Sequence, residues 1–316
     1  MSLDIILKHD DFQDPHEKCI ERWGACSSGG ARAEHAGRKQ RGCGSAKSAK
    51  GAVLLFHGFT GSPFELQKYA NFLYKNGYDV YAECLPGHGD NFAGIYTVKY
   101  QDWLEHAYKN FKQLKAQYEN VYAAGLCLGA VLALAAAEKY PDEVSGVISL
   151  STTLFLDGWR LPKFMFLLYI AFSTVFRFYY FYPECEPHGI KNEKTRAVVK
   201  KLLVKGETGM NDFPLTGIYE LFKLSKYVRK RLKAITAPVL LVHSKEDDLT
   251  SIKSAEIVYK NISSADKDMI ILYDSYHMIL YDNEREFVFN KTLEFMEKRL
   301  KKACEKETSK CMQMQF

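Results

Sequence analysis

"AAGLCLGAVLAL", residues 123–134, decides how this chain is read. Gly125 and Gly129 bracket Cys127, and the run "NVYAAG" leads into them. A short buried strand should end here, a sharp turn should carry Cys127, and a helix should start at Leu128. A turn of this kind holds its central residue in strained geometry and needs glycine on both sides, where backbones approach closely. The side chain at its tip stands over a helix N-terminus, a position that favours an anion such as a thiolate. The same spacing also serves helix–strand packing around an inert cysteine, so the surrounding segments have to decide.

Those segments repeat one pattern. Val53–Phe56 is a short continuous apolar run, the mark of a strand buried on both faces. Ser62-Pro63 opens a helix whose stripe, Leu66, Tyr69, Ala70 and Leu73, is closed by Gly77. The strand "YDVYAEC" follows, then a helix near 99–117, the Cys127 unit with its helix up to Pro141, and the strand "VSGVISLS". After an interruption, "APVLLVHS", a helix at 252–260, "DMIILYD" and a helix at 283–301 complete the alternation. Buried strands alternating with amphipathic helices predict an α/β fold, a mostly parallel sheet of about six strands with helices on both faces. The domain reading is a flexible basic extension at 1–50, a core at 51–151 and 236–301, an inserted hydrophobic cap at 152–235 and a C-terminal tail at 302–316.

The chain has 316 residues, 47% of them hydrophobic and 26% charged, a balance that supports a substantial core without disulfides or metal. Its net charge of +5 is local: residues 22–50 hold seven Lys or Arg against the single acid Glu34. The rest of the chain is close to neutral, which argues against a nucleic-acid partner. Cys19, Cys26, His35 and Cys43 lie in that Gly/Arg-rich stretch but lack the paired spacing of a zinc ribbon, so no metal is expected. The opening "MSLDIILKHDD" has no basic n-region and only a four-residue apolar run, unlike a secretory signal. The expectation is a cytoplasmic protein with reduced cysteines, and the sequons at Asn261 and Asn290 read as chance matches in helices.

The interruption at 152–235 follows a strand's carboxyl end, the edge where open α/β sheets bind ligands. Its segment 164–182, "FMFLLYIAFSTVFRFYYFY", carries ten aromatics in nineteen residues. Ser173, Thr174 and Arg177 break it as a membrane span. A helical cap with a greasy face over the site is expected, with transient contact at a membrane surface left open.

"FHGFTGSP" at 56–63 ends a strand with the Phe59 amide at the sheet's edge. Paired with the Leu128 amide it would form an oxyanion hole, two fixed dipoles facing the charge that develops on an attacked carbonyl oxygen. His57, ahead of that loop, reads as structural. Taken with "LPGHGDN", these segments resemble the α/β-hydrolase family, and within it the carboxylesterases and monoacylglycerol lipases, over about 51–301. The resemblance implies an acid in "HSKEDDLTSIKSA", at Asp247 with Asp248 as fallback, and a catalytic histidine in "YDSYHMILYDNE", at His277. It implies an acyl-enzyme on a Cys127–His277–Asp247 triad without cofactor, Cys127 standing where most of that branch has serine. The aromatic cap suggests a small hydrophobic ester or thioester as substrate.

The box also resembles that of polyhydroxyalkanoate synthases and some dienelactone hydrolases, so a Cys-dependent acyltransferase or thioester-handling enzyme stays open. So does a catalytically weak member that binds a hydrophobic ligand. No pattern in the sequence specifies acyl chain length, leaving group or oligomeric state. Before residue 51 the family's additional strands are missing; residues 2–7 could supply one edge strand at most, leaving a margin prone to pairing.

Overall fold

The computed structural model describes residues 5–7, 49–88, 94–162, 172, 175–183, 185–204 and 212–313. Its centre is a seven-stranded sheet. In chain order the strands are β1 (Ile5–Leu7), β2 (Ala52–Phe56), β3 (Asp79–Ala82), β4 (Val121–Leu126) and β5 (Gly146–Leu150). The cap contributes β6 (Phe181–Pro183) and β7 (Asp212–Pro214), and the sheet is completed by β8 (Val239–Ser244) and β9 (Lys267–Leu272). The helices are α1 (Gln67–Lys75), α2 (Tyr100–Lys115), α3 (Leu128–Lys139), α4 (Glu193–Val204), α5 (Leu215–Arg229), α6 (Lys253–Asn261) and α7 (Arg285–Gln313).

The strand order is β1-β3-β2-β4-β5-β8-β9, parallel throughout except for β1, which runs antiparallel to β3. The six parallel strands match the sequence expectation. The margin expected to lack a partner is covered by Ile5–Leu7 itself, pairing with Val80–Ala82. Those three residues therefore belong to the sheet and not to a flexible extension. Residues 8–48, including the basic stretch and the cysteines weighed as zinc ligands, lie outside the described residues.

Alternation along β2 shows how both faces are buried. Ala52, Leu54 and Phe56 join a core with α2, α3 and α5, while Val53 and Leu55 join another with α1 and α7. Helix α3 is buried on every side from Leu128 to Ala137, as its Leu/Ala composition requires. Helix α7 runs past residue 301, where the sequence ended the helix ahead of a tail at 302–316, on to Gln313.

Between β5 and β8 the described cap is not purely helical. β6 and β7 form an antiparallel ribbon in which Tyr182 faces Phe213. Helix α5 buries Leu215, Ile218, Leu221, Leu224 and Val228 in the core shared with α3. The aromatic run is split: Phe172 packs against Tyr219 and Phe222, whereas Phe178, Tyr179 and Tyr180 are more than half exposed. Residues 178–180 face solvent and not the site, while Tyr182 in the ribbon lies toward it. Residues 163–171 lie outside the described residues. Among the described residues, no helix is long and apolar enough to cross a membrane.

Candidate active site

The chain passes outward from β2 to β3 and then returns to β4 on the other side of β2. That reversal makes the crevice at the carboxyl ends of β2 and β4 the topological switch point, where open sheets bind ligands. The register pairs Phe56 with Gly125, so the turn after β2 and the turn at Cys127 stand side by side.

Cys127 sits between β4 and α3 with φ of 58° and ψ of −114°, in the left-handed half of conformational space. Such a conformation costs about 1–3 kcal/mol and survives where surrounding structure enforces it. A Cβ on Gly125 would stand 2.3 Å from the Gly129 backbone, and one on Gly129 would stand 1.9 Å from the Phe56 carbonyl oxygen. Both glycines are thus required by close approach. The thiol is buried and accepts a hydrogen bond from Thr153 Oγ1 at 3.3 Å. Leu128 is the first helical residue, so its amide has no acceptor within the helix.

His277 lies in the loop after β9, and its Nδ1 donates to Asp247 Oδ2 at 2.8 Å. Asp247 Oδ1 accepts the Leu249 and Thr250 amides at 2.9 and 2.8 Å. Burial would lift the Asp247 pKa, but the His277 imidazole, His243 and the Thr250 amide together lower it. Burial would likewise lower His277, yet Asp247 and the Cys127 sulfur raise it well above 6.5. The other ring nitrogen, Nε2, is buried without a hydrogen-bond partner among the described residues. It is Asp247, not its neighbour, that meets the imidazole. Asp248 takes the His277 backbone amide at 3.3 Å and pairs with Arg160 at 3.3 Å.

The histidine loop is anchored from several sides. Ser151 Oγ donates to the His277 carbonyl, and the Met278 amide donates to Gly189 of the cap, both at 2.7 Å. Asp282 receives the Tyr276 amide at 2.8 Å together with the cap amides of Lys191 and Asn192 at 2.7 and 2.8 Å. His57 is buried with Nδ1 against the Gly58 carbonyl and Nε2 accepting the Leu85 amide. Burial and the nearby His88 push its pKa well down, so it is a neutral strut under the loop.

Two cavities meet at Cys127 and Phe59. The larger, about 150 Å³, is lined by Glu65, Arg160, Asp248, His277 and Tyr281 among others. The smaller, about 20 Å³, is lined apart from Cys127 only by apolar and aromatic side chains, including Leu156, Tyr182, Phe213 and Leu221. Phe59 is clamped by Phe213, whose ring stacks on it at 6.1 Å, and by Gly217, where a Cβ would come within 2.5 Å of the Phe59 ring. Thr153, Phe213 and Glu65 were not among the residues singled out from sequence. Ser62-x-x-Glu65 has the spacing of a capping box, but the helix start has no side-chain cap and Glu65 instead accepts the Gly58 amide. Among the described residues, no group of three or more His, Cys, Asp or Glu side chains could hold a metal ion.

A parallel sheet with its site on a strained turn at the switch point defines an α/β hydrolase. The chain belongs to the family described as serine aminopeptidase, S33, whose pattern it matches over residues 47–284. It is 25% identical over 234 residues to the thermostable monoacylglycerol lipase of Bacillus sp. (strain H-257), covering 72% of this chain and 82% of that protein. It is 26% identical over 236 residues to the carboxylesterase of Bacillus subtilis (strain 168), covering 73% and 86%. The monoacylglycerol lipase of Paleococcus ferrophilus superposes with a TM-score of 0.66 at 21% identity, over 79% of this chain and 95% of that one. That last likeness bears on the fold.

Proposed function

We propose that the protein is a carboxylic ester hydrolase of the esterase and monoacylglycerol-lipase type, acting through Cys127, His277 and Asp247. The observation that carries this reading is His277, held by Asp247 at 2.8 Å, lining one pocket with a strained, buried Cys127 at a helix N-terminus. Resemblance to the two Bacillus enzymes supports the ester bond as the target. The all-apolar cavity beside the thiol supports a hydrophobic acyl group.

In this reading His277 takes the Cys127 proton, the sulfur attacks the ester carbonyl carbon, and the carbonyl electron pair moves to oxygen, facing the Phe59 and Leu128 amides. As the intermediate collapses the bond to the alcohol oxygen breaks, and His277 gives its proton to that oxygen. A thioester remains on Cys127. Water then attacks it, passing its proton to His277, the carbon–sulfur bond breaks to release the acid, and the Cys127 sulfur takes that proton back from His277. Asp247 orients the ring and stabilises its charged form. Sulfur as the nucleophile also favours exchange between thioesters, since the bonds broken and made are alike, so an acyltransferase is the second reading. The exposed Phe178, Tyr179 and Tyr180 around Arg177 support transient contact of the cap with a lipid surface.

The test is the intact mass of native protein and Cys127→Ala after brief exposure to an activated butyryl ester. A single acyl group on the native chain, absent from the variant and shed in water, is the expected outcome. Shedding only to an added thiol would move the acyltransferase forward. Equal labelling of the two proteins would defeat both readings and leave ligand binding without turnover.

A further inference from the structure

A third cavity, about 220 Å³, lies where the cap meets the segment leading into α2, and it shares no lining residue with the two at Cys127. Helix α5 stands between them. Its Ile218 and Leu221 line the smaller cavity at the thiol, while Thr216, Tyr219, Glu220 and Lys223 line this one. The charged lining is three cations, Lys99, Arg177 and Lys223, against one carboxylate, Glu220. Glu220 is already engaged: Oε1 pairs with Lys223 at 3.1 Å, and Oε2 accepts the Tyr100 amide at 3.1 Å. Neither Lys99 nor Arg177 forms an ion pair among the described residues, so the excess of two positive charges rests on them.

Arg177 is held as a ligand-binding guanidinium would be. Nη1 donates to the Phe172 carbonyl at 2.7 Å, and the group lies over the Phe178 and Tyr219 rings at 4.8 and 5.2 Å. Stacking fixes the plane of the fork, and its other nitrogens have no acceptor among the described residues. Thr216, in the same lining, is 6% exposed and its hydroxyl has no hydrogen-bond partner among the described residues. A buried hydroxyl in that state is costly unless a ligand completes it. Two positive charges match a phosphate monoester, which is close to a dianion at neutral pH, better than they match a carboxylate. Phe178 lines the cavity and also belongs to the exposed cluster with Val175, Tyr179 and Tyr180, so a phosphate carried by a lipid would enter beside the cap's apolar surface. We infer that this cavity is a binding site for a phosphate monoester group, with Arg177 and Lys99 as its charged contacts, presented by an anionic lipid. The lipid is an anchor there and not a substrate. Its choice as the source rests on the lipid contact of the cap proposed above; the site itself does not.

The experiment compares native protein, Lys99→Gln/Arg177→Gln, and a charge-matched control, Lys260→Gln/Lys298→Gln, whose exposed lysines lie on α6 and α7. Each is floated with phosphatidylcholine vesicles and with the same vesicles carrying about one phosphatidic acid in five lipids. Each is also titrated with glycerol 3-phosphate in a calorimeter, after equal melting temperatures show that all three are folded. Phosphatidic acid should raise the flotation of native protein and control, and Lys99→Gln/Arg177→Gln should lose most of that rise. Glycerol 3-phosphate should bind this variant roughly tenfold or more weakly than it binds native protein. The control removes the general attraction of basic residues, those at 22–50 included, for an anionic surface. A selective loss in flotation establishes the lipid source. A selective loss in the titration alone assigns the site to a dissolved phosphate ester and overturns the lipid source. No selective loss in either arm overturns the site. Native protein that floats with neither vesicle defeats the lipid contact of the cap, while the titration still judges the cavity on its own.

Discussion

Asp247 and His277 hold each other in their charged forms, and the direction of each shift sets a pH window. The folded pKa of Asp247 is lowered, so its contribution is complete above the unfolded value of about 3.9 and is lost as pH falls through the folded value. His277 is raised, so its contribution is complete below the unfolded value of about 6.5 and is lost as pH rises through the folded one. The pair therefore stabilises the fold fully between about pH 4 and 6.5. Urea unfolding of native protein and Asp247→Asn should show the largest stability gap at pH 5–6 (about the middle of that window) and a shrinking gap toward pH 9. A gap that stays constant or widens with pH would show that the ion pair is not what Asp247 contributes. The choice between Asp247 and Asp248 lay at the edge of what sequence can say. Two adjacent acids differ by one step in a turn, and only the fold directs one to the imidazole and the other to Arg160. Glu65 was illegible for a related reason: its spacing from Ser62 fits a local cap, while its actual partner, Gly58, lies across a loop.

At the scale of elements, the turn at Cys127 is held open by its glycines. Gly129→Ala would press a Cβ to 1.9 Å from the Phe56 carbonyl oxygen, and backbone on both sides leaves no flexible end to yield. The expected outcome is a loss of about 4 kcal/mol or more, seen as a collapse of the thermal transition or failure to recover soluble protein. A variant with near-native melting would mean that β2 and α3 can move apart. These elements were legible because each carries its own pattern: AVLLF reads as a doubly buried strand, and LGAVLALAAA as a helix buried all round. The β6–β7 ribbon was not legible. Its strands are three residues each, separated by about thirty residues, and too short to show a period. Its Tyr182–Phe213 pair nevertheless roofs the smaller cavity, so the acyl side of the site is written in contacts between distant segments.

Over the whole molecule, positive charge is concentrated in residues 22–50 and apolar exposure in the cap. Tyr179 is 75% exposed and Tyr180 59%, beside Val175 and Phe178, which suits shallow insertion at a lipid interface. Replacing Tyr179 and Tyr180 together by Ser should weaken co-flotation with phosphatidylcholine vesicles severalfold while leaving hydrolysis of a dissolved short-chain ester intact. Equal flotation of the two proteins would remove the cap as the contact surface.

Asp282 has a wider consequence than its size suggests. One carboxylate receives the amide preceding His277 and also two amides at the Lys191–Asn192 end of the cap, while Gly189 accepts the amide that follows the histidine. Lifting that end of the cap would loosen the seat of the imidazole. The same carboxylate ties the base of the cap and the loop of the imidazole into one hydrogen-bonded unit, so whatever disturbs one reaches the other.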